Sequence, residues 1–141
     1  MADIIFIDPM GDDHKNPDPD WLKELIFNRG DDFWDVGSQD AALDFDERDY
    51  PKAHVHLKGL EDSFMIKHKY RGDNERLHSL RFGEHAGETV EASIGGQPQL
   101  YYREYFVPKE VAWEAVDYFL RTGDRKPDLR WEIAQYPAEL Y

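Results

Sequence analysis

Along most of the chain apolar residues either alternate with polar ones or recur every three to four positions, and each change of period marks a new element. Asp3 to Asp8 (DIIFID) is a short apolar run bounded by charge, which predicts a strand. Pro9, Gly11 and the cluster Asp12, Asp13, His14, Lys15, Asn16, Pro17 break it with a turn-rich loop. Asp18 is placed to cap a helix with Pro19 in its first turn; Leu22, Leu25 and Ile26 follow at helical spacing and Gly30 supplies a stop. Then comes a run of strands. Ala53, Val55 and Leu57 alternate with His54 and His56; Phe64, Ile66 and Tyr70 with Met65, Lys67 and Lys69; His78, Leu80 and Phe82 with Ser79 and Arg81; Val90, Ala92 and Ile94 with Glu91 and Ser93. The separators are short and glycine-bearing (Gly59 to Asp62, Arg71 to Asn74, Gly83 to Gly87, Gly95-Gly96), which favours antiparallel hairpins over crossovers.

The most ordered pattern closes the chain. Leu100, Tyr102 and Phe106 alternate with Tyr101, Arg103 and Tyr105; Pro108 then opens a helix whose Val111, Ala112, Ala115, Val116 and Phe119 form one apolar stripe, and Gly123 ends it. Pro127 forbids continuation, and Leu129, Trp131 and Ile133 alternate with Arg130 and Glu132 as a short closing strand. From Asp31 to Tyr50 the pattern fails: Phe33, Trp34, Val36, Leu43 and Phe45 scatter without sustained period, which predicts irregular structure or one short strand with a loop. The sum is a single α+β domain over residues 1–141, a two-layer structure with a five- or six-stranded antiparallel sheet covered on one face by two helices.

Charge changes this picture more than composition does. The net charge is -13, and residues 1–50 hold 15 acidic and 4 basic side chains against 15 and 13 in the remainder. Asp31 to Tyr50 alone carries Asp31, Asp32, Asp35, Asp40, Asp44, Asp46, Glu47 and Asp49 against the single base Arg48. A negative field repels phosphate backbones and attracts a basic protein, so direct nucleic-acid binding is disfavoured. The plainer reading is that such charge keeps the chain in solution. The absence of cysteine excludes disulfides and zinc-thiolate sites. The start MADIIFIDPM lacks a basic segment followed by a long apolar run, and no stretch reaches the ~20 apolar residues of a membrane span. A cytoplasmic protein with no membrane association is expected.

The closing unit carries a resemblance. Val107-Pro108, the amphipathic helix, Phe119-Leu120, Thr122-Gly123, Arg125-Lys126-Pro127, Leu129 and Trp131 resemble the C-terminal signature of immunity protein family one of bacterial polymorphic toxin systems, over roughly residues 100–133. The resemblance implies a protein that neutralises a cognate toxin by binding it, several such partners being nucleic-acid deaminases. It brings no catalytic residue and no cofactor. The expected partner is a basic, nucleic-acid-acting toxin domain, a deaminase or a nuclease. On that basis Asp31, Asp32, Trp34, Asp35, Asp44, Phe45, Asp46, Glu47 and Asp49 are the expected toxin-binding residues: carboxylates in place of phosphates, with Trp34 as anchor inside its acidic collar and Phe45 as a second buried contact. Trp113 at the margin of the last helix's stripe is a further candidate anchor, or simply caps the core there.

Two alternatives compete with this reading. His54 and His56 share one side of a strand, and with Glu61 they give the spacing H-x-H-x4-E, similar to the first metal-binding half-motif of cupins. The pattern departs from that motif: Arg48 stands where a glycine is expected, none follows the glutamate, and no second histidine motif appears. Two imidazoles on a solvated sheet face are the simpler account. The other alternative is a generic protein-interaction module. His68 and His78, the Asp8–His14 loop, the serines and Gly95-Gly96 lack the spacing of a metal, calcium, nucleophile or phosphate site.

Overall fold

The computed structural model describes residues 2–47, 50–71, 77–83 and 87–137. Strands β1 (Ala2–Ile7), β2 (Asp13–Lys15), β3 (Ala41–Glu47), β4 (Tyr50–Leu60), β5 (Ser63–Tyr70), β6 (His78–Leu80), β9 (Phe106–Pro108) and β10 (Trp131–Ile133) form one antiparallel sheet in the order β10-β6-β5-β4-β3-β1-β2, with β9 paired to β5. Strands β7 (Thr89–Ile94) and β8 (Gln97–Tyr102) form a separate hairpin. Helices α1 (Pro19–Asn28) and α3 (Lys109–Thr122) lie on one sheet face, and α2 (Asp31–Trp34) is a single turn. The fold is α+β, as the periodicity implies, with more strands than the five or six expected. Alternation marks β6 and β10 in advance; the strands it does not mark are β2 and the separate β9, three residues each and too short to show a period.

Local chemistry explains the helix ends. The Asp18 carboxylate accepts from the Asp20 amide at 2.9 Å, supplying one of the partners that the first turn lacks. At the end of α3, Gly123 takes φ +75° and donates to the Phe119 carbonyl. A Cβ there would lie 2.8 Å from the Phe45 ring, so the same glycine also lets the helix end press onto the sheet. Leu22, Leu25 and Ile26 of α1 and Ala112, Ala115, Val116 and Phe119 of α3 bury against Ile4, Phe6, Leu43, Phe45, Ala53, Val55, Leu57, Phe64 and Ile66.

The acidic stretch is more regular than its pattern suggested. Ala41, Leu43 and Phe45 point into the core while Ala42, Asp44 and Asp46 point away, and the strand they form is interior, paired to β1 and β4. The opposite face of the sheet is not uniformly wet. The β7–β8 hairpin, turning through Gly95 (φ +61°) and Gly96 (φ +78°), folds over one end of it and makes a second apolar cluster from Met65, Ala92, Tyr101, Tyr105 and Phe106. The Gly95 amide donates to the Ser38 carbonyl, and the Ser38 amide to Pro9, tying the hairpin tip to the loop before β3.

Candidate functional site

The register sets out two rows of side chains on the face away from the helices. One runs Asp44, His54, Lys69 from β3 to β5; the next runs Ala42, His56, Lys67, Ser79 from β3 to β6. Between these rows and the hairpin lies a cleft of 430 Å³, its floor formed by His54, His56, Lys67 and Lys69 and its walls by Leu77, Ile94, Gln99, Tyr101 and Tyr136. The volume is in the range of small-molecule sites.

Each histidine is held by a carboxylate. Because an ionised carboxylate only accepts, His54 donates through Nδ1 to Asp44 at 2.6 Å and His56 donates through Nε2 to Asp40 at 2.5 Å. The hydrogen bond from His54, with the charges of His54 and Arg71, holds the Asp44 carboxyl below its ordinary 3.8 despite opposing desolvation. Burial pushes His56 below its ordinary 6.5 despite the opposing Asp40. Burial, with Tyr136 and Asp40 nearby, raises the Tyr101 phenol to about 12. Lys67 is 5% exposed, its ammonium donating to the Tyr136 hydroxyl at 2.8 Å and lying 5.3 Å from the Tyr101 ring centre and 4.7 Å from that of Tyr136. Imidazoles with one nitrogen fixed by a carboxylate and the other available are suited to accepting a proton or a hydrogen bond, and the two lysines add positive charge beside them.

The histidines are therefore half-buried and carboxylate-held rather than freely solvated, and Glu61 does not complete them as a metal set. Glu61 sits exposed in the β4–β5 turn, five residues from His56, about 16 Å at the ~3.3 Å rise of a strand. Among the described residues no group of three or more His, Asp or Glu side chains is placed to hold a metal ion. His68, which the sequence places near His78, is its register partner; it lies buried in the core, donating from Nε2 to the Gly123 carbonyl and packing edge-on against Phe119.

Of the nine expected toxin-binding residues, those whose side chains are described do not converge on one patch. Trp34 is 2% exposed: its indole N–H donates to the Leu25 carbonyl, and its ring packs edge-on against Phe64. The turn of α2 aims it inward, beneath Gly59, while Asp32 and Asp35 stay in solvent, so it is a core residue and not a surface anchor. Phe45 is likewise buried, under Gly123 and Phe119. Asp32 pairs with Arg29 at 2.8 Å, and Asp35 reaches the buried Lys58 at 3.3 Å. Asp31 lies in α2 with its side chain outside the described residues, as is the whole of Asp49. Asp35 at Lys58 and Asp46 opposite Pro51 stand at opposite ends of β4, seven residues or about 23 Å apart. Trp113 is half-buried at the core margin, and Trp131 packs on the core with its N–H donating to Lys126.

A different acidic cluster emerges at the end of the sheet. Asp3 lies directly across the ladder from Asp46, and Ala2 across from Glu47. Asp3 accepts from the Asn16 side chain at 3.2 Å, and the chain continues within four residues of Asn16 to the exposed Asp18 and Asp20. Among the described residues none of Asp3, Asp20, Asp46 and Glu47 has a basic partner. Strand register, invisible in a linear reading, is the signal that joins Asp3 to this group. No helix of the described residues is long and apolar enough to cross a membrane. Searches of protein-family models and of curated proteins find no match to the chain.

Proposed function

We propose that the chain is an immunity protein that binds a cognate, basic, nucleic-acid-acting toxin and occludes it, performing no reaction on it. The observation that carries this reading is the pairing of Asp3 with Asp46, two carboxylates facing across one ladder beside Glu47, none of the three with a basic partner among the described residues. Like charges directly opposite in a sheet oppose folding, and a sequence retains such a conflict most readily where a partner relieves it. A basic surface does so, and the surrounding field speeds its arrival. The resemblance of the closing helix and turn to immunity proteins supports the same reading. Asp32, Asp35 and Asp44, already engaged by Arg29, Lys58 and His54, serve the scaffold in this account.

The test is genetic and kinetic. Coexpression with the toxin encoded beside it rescues growth, and the paired change Asp46→Lys, Glu47→Lys lowers the association rate by about tenfold and flattens its salt dependence, read by stopped-flow or surface binding. An association rate that ignores the charge reversal moves the interface elsewhere, and failure to protect against any adjacent toxin rejects the reading.

A further inference from the structure

Lys67 and Lys58 are both buried lysines on the open face of the sheet, but they are treated differently. Lys58 is 1% exposed and has a carboxylate, that of Asp35, at 3.3 Å. Lys67 is 5% exposed and has only a phenol hydroxyl and two ring faces; no carboxylate lies within ion-pair distance among the described residues. A buried cation without a counter-charge is costly, and ring faces and a neutral hydroxyl offset that cost only in part. Lys67 also faces the cleft, and Lys69, His54 and His56 stand beside it there. None of the described residues lining that cleft is acidic, in a chain whose net charge is -13. The carboxylates nearest in the chemistry, Asp40 and Asp44, are engaged by His56 and His54.

The walls specify the rest of the ligand. The rings of Tyr101 and Tyr136 stand 6.1 Å apart at 60°, with Ile94 and Leu77 completing an apolar surround. Tyr136 is held on one side by Lys67, and its backbone neighbour Gln135 donates to the Tyr105 hydroxyl. In edge contact with each other, the two rings make one aromatic wall that suits a flat ring laid against it, while the floor suits one negative head group.

We infer that this cleft is a binding site for a small organic anion, an aromatic ring bearing a carboxylate or a phosphoryl group, with Lys67 as the counter-charge to the head and Tyr101 and Tyr136 as the wall for the ring. This site is independent of the Asp3–Asp46 cluster and stands whether or not that cluster binds a toxin.

Titration calorimetry on the full chain with inorganic phosphate, benzoate and phenyl phosphate tests it. The expected result is saturable binding with one site per chain, phenyl phosphate at least about tenfold tighter than inorganic phosphate because only it supplies the ring. Benzoate tighter than phenyl phosphate identifies a carboxylate site, and the reverse order a phosphoryl site. Lys67→Met removes the charge at nearly constant shape; it weakens the preferred probe by at least about tenfold and raises the thermal midpoint of the unliganded protein, whereas a merely structural Lys67–Tyr136 bond predicts a lower midpoint. Lys69→Gln, at an exposed position without consequence for folding, weakens binding by about threefold and reads the same site should the Lys67 variant fail to fold. Absence of saturable binding by all three probes, or unchanged affinity in both lysine variants, overturns the inference.

Discussion

Trp34 shows how one side chain can be surrounded in sequence by charge and still belong to the interior. Its neighbours Asp32 and Asp35 are exposed, yet the single turn of α2 rotates the indole onto Phe64 and beneath Gly59, where an added Cβ would lie 2.9 Å from it. The expected consequence of Trp34→Ala is therefore loss of stability, about 3–5 kcal/mol by the measure of large aromatic truncations, with the Leu25 carbonyl left without its donor as well. Gly59→Ala approaches the same contact from the other side and costs about 1–3 kcal/mol through overpacking. Urea unfolding of both variants checks this; a Trp34→Ala protein as stable as the parent would return the indole to the surface.

At the scale of elements, His56 and Asp40 join the loop before β3 to the centre of the sheet, and the same loop holds the hairpin tip through Ser38 and Gly95. Burial depresses the folded-state proton affinity of His56, so between that lowered value and 6.5 the unfolded chain binds more protons than the folded one. Stability is then full above 6.5 and is lost as pH falls through the lowered value; Asp44, also depressed, contributes above 3.8 and is lost only under stronger acid. The urea midpoint is expected to fall between pH about 7.5 and about 5.5, and His56→Gln to flatten that interval. An equally steep fall in the variant assigns the effect to another group. How much of these elements was readable follows from the same particulars. The stripe of α3, the Asp18 cap and the alternation of β4 and β5 are local patterns, and they form where they fall. Strand β3 alternates as well, but amid so many carboxylates the stretch reads as irregular or as one short strand with a loop, since only pairing on both sides shows why seven acidic-rich residues stay extended. The hairpin over the open face, and hence the cleft, depends on the fold of β7 and β8 away from the main sheet, which no period records. Sequence put His54 and His56 on one side of a strand; their partners Asp44 and Asp40 come from register and loop path.

For the molecule as a whole, the decisive feature is that chain order and space coincide: residues 2–47, with 14 acidic and 3 basic residues, supply α1 and the β2, β1, β3 half of the sheet, which makes that half the negative side. The other half, built on β5, β6, β10 and α3, is close to neutral by the same count. A molecule charged in this way carries a repulsive term concentrated where Asp3 meets Asp46, and that term is screened over about 10 Å at ~0.1 M salt. Raising ionic strength from about 0.01 to about 0.2 M should therefore raise the thermal midpoint, while slowing capture of a basic partner, so that salt moves stability and association rate in opposite directions. Asp3→Asn, which removes one of the facing charges and keeps an acceptor for Asn16, should stabilise the free protein by about 0.5 kcal/mol and reduce its salt response, at the expense of association. Calorimetric scans at the two salt concentrations, beside association rates measured under the same conditions, decide the matter: a midpoint indifferent to salt and to Asp3→Asn would mean that the negative side carries no strain for a partner to relieve, and would remove the physical reason for placing the interface there.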